Sequence, residues 1–94
     1  MSPDMPVTIR HQSTPNPNAG KFTADRRIVE GRESRSYYSA LQAAEDPLAL
    51  ELFRVTGVAN VFMADDFVTV TRDPAVSWDE LVPDVIEAMQ RMLA

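Results

Sequence analysis

From Val7 to Gln12 apolar and polar positions alternate, Val7 and Ile9 against Thr8, Arg10 and Gln12. A period of two puts one set on each face of a half-buried strand, so this run predicts the first element. It stops at the segment Thr14, Pro15, Asn16, Pro17, Asn18. Each proline holds φ at about −65° and pushes the residue before it, Thr14 or Asn16, out of the helical region. The asparagine side chains bond to nearby backbone groups as turns favour, so the segment reads as a stiff bend. Gly20–Thr23 and Arg27–Glu30 contain β-branched or aromatic residues. They suit one irregular strand, or two fragments interrupted at Ala24–Arg26. Gly31–Ser36 is polar and mostly charged, and predicts a loop.

Ser39–Ala44 is alanine-rich and weakly helical. A better helix starts at Asp46 and Pro47, a capping residue followed by a proline at the first helical position. Leu48, Leu52, Phe53 and Val55 form its apolar stripe, and Gly57 is placed to close it in a left-handed conformation. Val58–Met63 and Phe67–Thr71, separated by Ala64, Asp65 and Asp66, make the clearest hairpin. Ser77 and Glu80 spell a capping box for a final helix whose apolar side carries Trp78, Leu81, Val82, Val85, Met89 and Met92. Pro83 lacks the amide for a mid-helix bond, which predicts a kink or a short turn and a restart. The element order is β-β-α-β-β-α. Short connections then favour an α+β fold, a four-stranded, mainly antiparallel sheet with two helices packed on one face.

Composition narrows the chemistry. The 94 residues predict one domain over 1–94, with residues 1–6 a short lead-in. There is no cysteine, which removes disulfides, thiolate nucleophiles and cysteine-ligated clusters from this chain's repertoire. A single histidine, His11, rules out a multi-histidine metal site. Nine basic against fourteen acidic residues, a net charge of −5, argues against nucleic acid as a partner. No apolar run approaches the ~18–20 residues that cross a bilayer, and the N-terminus has no secretory pattern, so no membrane association and a cytoplasmic location are expected.

Asp65 and Asp66 form the only tight acidic pair. They can ligate a hard cation or do acid–base work, but a hairpin turn chooses aspartate for backbone geometry alone. His11 stands at a strand end; it could serve as a general base, but no nucleophile or second acid stands at a telling spacing, and a half-exposed structural histidine is the favoured reading. Lys21, Arg26, Arg27, Arg32 and Arg35 cluster in sequence, either as a patch for an acidic partner or as a solvated face.

The run Thr14–Asn18 followed by Lys21 and Phe22 resembles the opening of the N-terminal domain of Nfu/NifU-type iron–sulfur cluster scaffold proteins. The similarity continues in order through Asp46–Ala49, Leu52 and Phe53, Gly57 and Val58, Val61 and Phe62, Asp66–Thr71, Trp78, Leu81, Pro83 and Ile86. It covers almost the whole chain from Val7 to Leu93. The resemblance implies an antiparallel sheet with two helices on one face, in agreement with the element order. It also implies an accessory role in partner recognition or cluster delivery. The family's cluster is carried on a second, C-terminal domain with a Cys-x-x-Cys motif, and this sequence reaches Ala94 without one. The expectation is a stand-alone, non-catalytic interaction module without cofactor or metal, binding a protein partner from the iron–sulfur assembly machinery, as a monomer or weak homodimer. The alternative is a small metal-binding protein or enzyme using His11, Asp65 and Asp66.

Strand parity supplies one more expectation. Placing Val61, Val68 and Val70 beneath the helices turns Phe62 and Phe67 to the opposite face, because side chains alternate. They then lie beside threonines on an open surface, unless the N-terminal segment folds over them or sheet twist tucks them at an edge. Candidate contact residues are therefore Phe62 and Phe67 together with the motif residues Thr14, Pro15, Asn16, Pro17, Asn18, Lys21 and Phe22.

Overall fold

The computed structural model describes residues 7–94, so the lead-in expected over 1–6 lies outside the described residues. The elements are β1 (Ile9–Ser13), β2 (Ala19–Ala24), β3 (Ser34–Tyr37), α1 (Pro47–Phe53), β4 (Val58–Ala64), β5 (Phe67–Arg72) and α2 (Trp78–Leu93). The strands form one five-stranded sheet in the order β1-β2-β5-β4-β3, and every neighbouring pair is antiparallel.

The sheet thus has five strands where four were expected. The extra one, β3, comes out of the polar stretch that reads as a loop. Its residues Ser34, Arg35, Ser36 and Tyr37 carry no apolar alternation, because an edge strand that pairs on one side only needs little burial of its own. Conversely, Arg27–Glu30 is not a strand. The amides of Ile28 and Val29 instead donate to the Asp65 carbonyl at 2.6 and 3.0 Å, which wraps this segment around the β4–β5 turn and buries Val29. Ser39–Ala44 forms hydrogen-bonded turns rather than helix.

Helix α1 begins as expected, with the Asp46 carboxylate accepting from the Ala49 amide at 3.2 Å and Pro47 in the first turn. It ends at Phe53 with Arg54 as its C-cap, so Val55 and Gly57 lie beyond it. Gly57 does adopt a positive φ of 104°, but where the chain turns into β4. A Cβ there would sit 2.8 Å from Cγ1 of Val76, so glycine is required by space as well as by dihedral.

Helix α2 opens with the expected capping box between Ser77 and Glu80. It then runs as one helix through Pro83, so of the two expected outcomes, a kink or a short turn with a restart, the restart does not occur. Pro83 and Asp79, whose carbonyl would have received the missing amide bond, both lie on the exposed side of the helix. Water can reach that carbonyl, so the helix tolerates the proline.

The core follows from parity. Phe22 of β2, Val61 and Met63 of β4, and Val68 and Val70 of β5 are buried on the same side of the sheet. They form one cluster with Leu48, Ala49 and Leu52 of α1 and Leu81, Val85, Ala88 and Met89 of α2. Both helices therefore cover one face. A register shift between Val58 and Asn60 interrupts the alternation, and it is why Val58 packs against the core while Ala59 is exposed.

Candidate functional site

The Pro-Asn bend is built by its own side chains and held by one distant one. The Asn16 carboxamide oxygen accepts from the Asn18 amide at 2.9 Å. The Thr14 hydroxyl lies 2.9 Å from the carbonyl oxygens of Asn16 and Ala19 and accepts from the Asn16 amide. The indole Nε1 of Trp78 donates to the Pro17 carbonyl at 3.0 Å, which pins the bend to the start of α2. Pro15, Asn16 and Pro17 are exposed.

Behind the bend lies an aromatic cluster of His11, Phe22 and Trp78, with the imidazole centroid 4.9 Å from Phe22 and 5.6 Å from Trp78. Gly20 makes room for it, since a Cβ would lie 3.0 Å from both His11 Nε2 and the Trp78 ring. His11 Nε2 is buried without a hydrogen-bond partner among the described residues, and burial pushes the imidazole pKa below its ordinary value. Phe22, named among the candidate contact residues, is wholly buried, so its part in the motif is packing.

The structure does not bring His11 together with Asp65 and Asp66. The two aspartates make the β4–β5 turn, Asp65 with a φ of +46° that suits this residue type. With Asp25, Arg26 and Arg27 they line a surface depression of about 490 Å³ to which His11 contributes nothing. Among the described residues no group of three His, Cys, Asp or Glu side chains is placed to hold a metal ion.

Nor does the basic cluster form a patch. Arg26 pairs with Asp25 at 2.9 Å and reaches the Leu93 carbonyl, and that pairing holds the Asp25 carboxyl below its usual range. Arg27 faces Asp65 at 3.7 Å, and Arg32 is exposed in the loop before β3. Arg35 and the Tyr37 hydroxyl both donate to Asp46, at 3.2 and 2.9 Å. This triangle fastens β3 to the cap of α1. Burial first, and then the bond to Asp46, pushes the Tyr37 phenol up. It is a structural device that a loop reading of 31–36 could not anticipate.

The remaining feature is the other face of the sheet. The cross-strand register sets out Arg10, Thr23, Phe67, Ala64 and Ser34 as one row across it. Gln12, Lys21, Thr69, Phe62 and Ser36 form the next. Ala19, Thr71 and Asn60 follow. No helix among the described residues lies over this face. Phe62 and Phe67 are half-buried side by side, with ring centroids 6.1 Å apart, and the Lys21 ammonium stands 4.4 Å from the centre of the Phe67 ring. The fold therefore separates the sequence motif into two kinds of residue. Thr14–Asn18 and Phe22 belong to the bend and the core, while Lys21 reaches the open face.

Comparison with known proteins agrees with this architecture. The family model for the N-terminal domain of scaffold protein Nfu/NifU matches residues 9–94. The human NFU1 iron-sulfur cluster scaffold homolog, mitochondrial, is 37% identical over 87 residues, covering 92% of this chain and 34% of that protein. NifU-like protein 5, mitochondrial, of Arabidopsis thaliana is 40% identical over 77 residues, covering 82% of this chain and 28% of that protein. The chain thus spans about a third of the length of these curated relatives. Among solved structures, a NifU-like protein from Saccharomyces cerevisiae superposes with a TM-score of 0.86 at 26% identity, over 99% of this chain and 83% of that one. Protein SAV1430 from Staphylococcus aureus does so with a TM-score of 0.77 at 26% identity, over 90% of this chain and 99% of that one. A bend locked by Trp78, a helix opened by Asp46 and a two-helix layer on one side of an antiparallel sheet are thus assembled from a sequence that the family model spans nearly end to end: the chain belongs to the Nfu/NifU N-terminal domain family.

Proposed function

We propose that this domain is a non-catalytic interaction module of iron–sulfur cluster assembly, which binds a protein partner and does not itself ligate a cluster. The observation that carries the reading is the uncovered sheet face. Among the described residues no helix covers this side of the sheet, and it holds two adjacent phenylalanines, where an ordinary open face would be evenly polar. The ligand inventory supports the second half of the reading. Cluster irons are held by thiolates, with imidazole as the usual substitute, and this sequence offers no cysteine and one histidine packed among aromatic rings. The human relative named above supplies the process, since its name is that of an iron–sulfur cluster scaffold homolog.

The test is made in the native host. Removing this chain should lower the activity of iron–sulfur enzymes while leaving the amounts of their polypeptides unchanged, and re-expression should restore it. Purified chain treated anaerobically with iron and sulfide should emerge from desalting without stoichiometric metal. Unchanged enzyme activities, or a cluster retained through desalting, would each overturn the proposal.

A further inference from the structure

The rows of the open face differ in charge from the chain as a whole. The chain carries fourteen acidic residues, yet none occurs in the three rows that the register places on this face. It holds two cations, Arg10 and Lys21, in neighbouring rows on the antiparallel pair β1 and β2. Five other arginines, at 26, 27, 35, 54 and 91, stand within ion-pair reach of carboxylates. Arg72 is held by the carbonyls of Pro74 and Val76. Arg10 and Lys21 have no such partner among the described residues, and neither does Arg32, which lies off this face in the loop before β3. Among the described residues, two cations without ion-pair partners thus stand on rows that carry no carboxylate, in an acidic protein.

We infer that this face docks an acidic segment of a partner protein, with carboxylates meeting Arg10 and Lys21 and an apolar side chain seated against Phe62 and Phe67. The inference rests on the partner-binding reading above and adds the chemistry of the partner. Lys21 joins the two halves of the contact. Its ammonium lies over the Phe67 ring, so a carboxylate that approaches it is brought beside the apolar platform. The threonine and serine hydroxyls of the same rows, Thr23, Thr69 and Ser36 among them, offer further donors to a carboxylate. A second copy docking face to face fits poorly, since it would set these cations against each other with no carboxylate between them. Single-stranded nucleic acid also suits an aromatic sheet face, but two cations on a molecule of charge −5 are few for a polyanion.

The experiment uses the full chain labelled with ¹⁵N and three probes at low and moderate salt. These are a pool of six-residue peptides alternating Asp or Glu with Leu, Phe or Trp, the same pool with Lys in place of the acids, and a twelve-nucleotide oligo-dT. The acidic pool should shift the amides of Lys21, Thr23, Phe67 and Thr69 saturably, and the basic pool should not. Reversing both charges, Arg10→Glu with Lys21→Glu, should weaken binding of the acidic pool roughly tenfold and create a response to the basic pool. Phe62→Ser should weaken the acidic pool in a salt-independent way, with the folded spectrum retained. Shifts confined to other surfaces, equal response to both pools, preferential response to oligo-dT, or a concentration-dependent dimer abolished by Phe62→Ser would each overturn the inference. The double charge reversal re-expressed in the host separates this from the broader reading. If iron–sulfur enzyme activities depend on the chain but the reversed variant restores them fully, the docking chemistry is wrong and the functional proposal stands. If the peptides bind as described but removal of the chain leaves those activities unchanged, the reverse holds.

Discussion

The indole Nε1 of Trp78 donates to the carbonyl of Pro17 at 3.0 Å, joining residues 61 positions apart. This bond connects the first residue of α2 to the bend between β1 and β2, and the same ring covers His11 and contacts the space left by Gly20. Trp78→Phe keeps an aromatic ring there but removes the donor and part of the apolar surface. It should lower the unfolding free energy by about 1–2 kcal/mol, measured by urea denaturation, and speed hydrogen exchange at Ala19.

The bend should stabilise mainly through the unfolded chain. Pro15 and Pro17 restrict that chain before folding, so Pro15→Ala and Pro17→Ala together should cost on the order of 1 kcal/mol. A stability unchanged within error, accompanied by loss of partner binding, would make the segment a recognition loop.

Gly57 carries two separate constraints, its φ of +104° and the side chain of Val76 beside it. Gly57→Ala should destabilise by roughly 2–4 kcal/mol, from dihedral strain together with overpacking. Adding Val76→Ala should recover only the steric share. Full recovery in the double variant would show that the dihedral contributes nothing.

Asp46 is 7% exposed and serves three donors, the Ala49 amide, Arg35 and the Tyr37 hydroxyl. Asp46→Ala removes a helix cap and strands a phenol, for an expected loss of about 2–3 kcal/mol. Tyr37→Phe alone should cost about 1 kcal/mol. In the double-mutant cycle the two losses should fall short of additivity by about that amount; strict additivity would mean that the phenol–carboxylate bond contributes nothing to stability.

Burial lowers the pKa of His11, so its neutral form is the one that fits the folded state. The unfolded chain then binds more protons than the folded one between the lowered value and the ordinary value of about 6.5. The stabilisation is complete above that ordinary value and declines as pH falls through the window below it. Thermal melts should show Tm falling in this range, and His11→Phe should remove that part of the pH dependence. A Tm profile identical in both proteins would mean that the imidazole is protonated as readily folded as unfolded.

The elements that depend on short-range chemistry were legible in the chain. The alternation in Phe67–Thr71, the Ser77–Glu80 box and the Asp46–Pro47 start each act within a few residues, and the structure contains all three. Parity also oriented Phe62 and Phe67 away from the helices, because a strand offers only two faces and Val61, Val68 and Val70 occupy one of them. The alternation failed at Ala59, where a one-residue shift in the β4–β5 ladder reverses the sides, and no local signal marks it.

What the sequence by itself determined was the set of local preferences: the α+β class, both helix starts, the hairpin, the bend, and a ligand inventory without thiolates. Tertiary structure alone decided which polar segment became a strand, whether Pro83 would break its helix, and where each cation ended. Ser34–Tyr37 has little intrinsic reason to extend; it does so because β4 presents an open ladder and Asp46 waits for Tyr37 and Arg35. Pro83 is tolerated because packing turned it to the exposed side. Arg10 and Lys21 are distant from Phe62 and Phe67 along the chain, and only the β1-β2-β5-β4 order gathers them on one face. The physical reason is that each of these outcomes is a contact between segments far apart in sequence, whose free energy exists only once the sheet has formed.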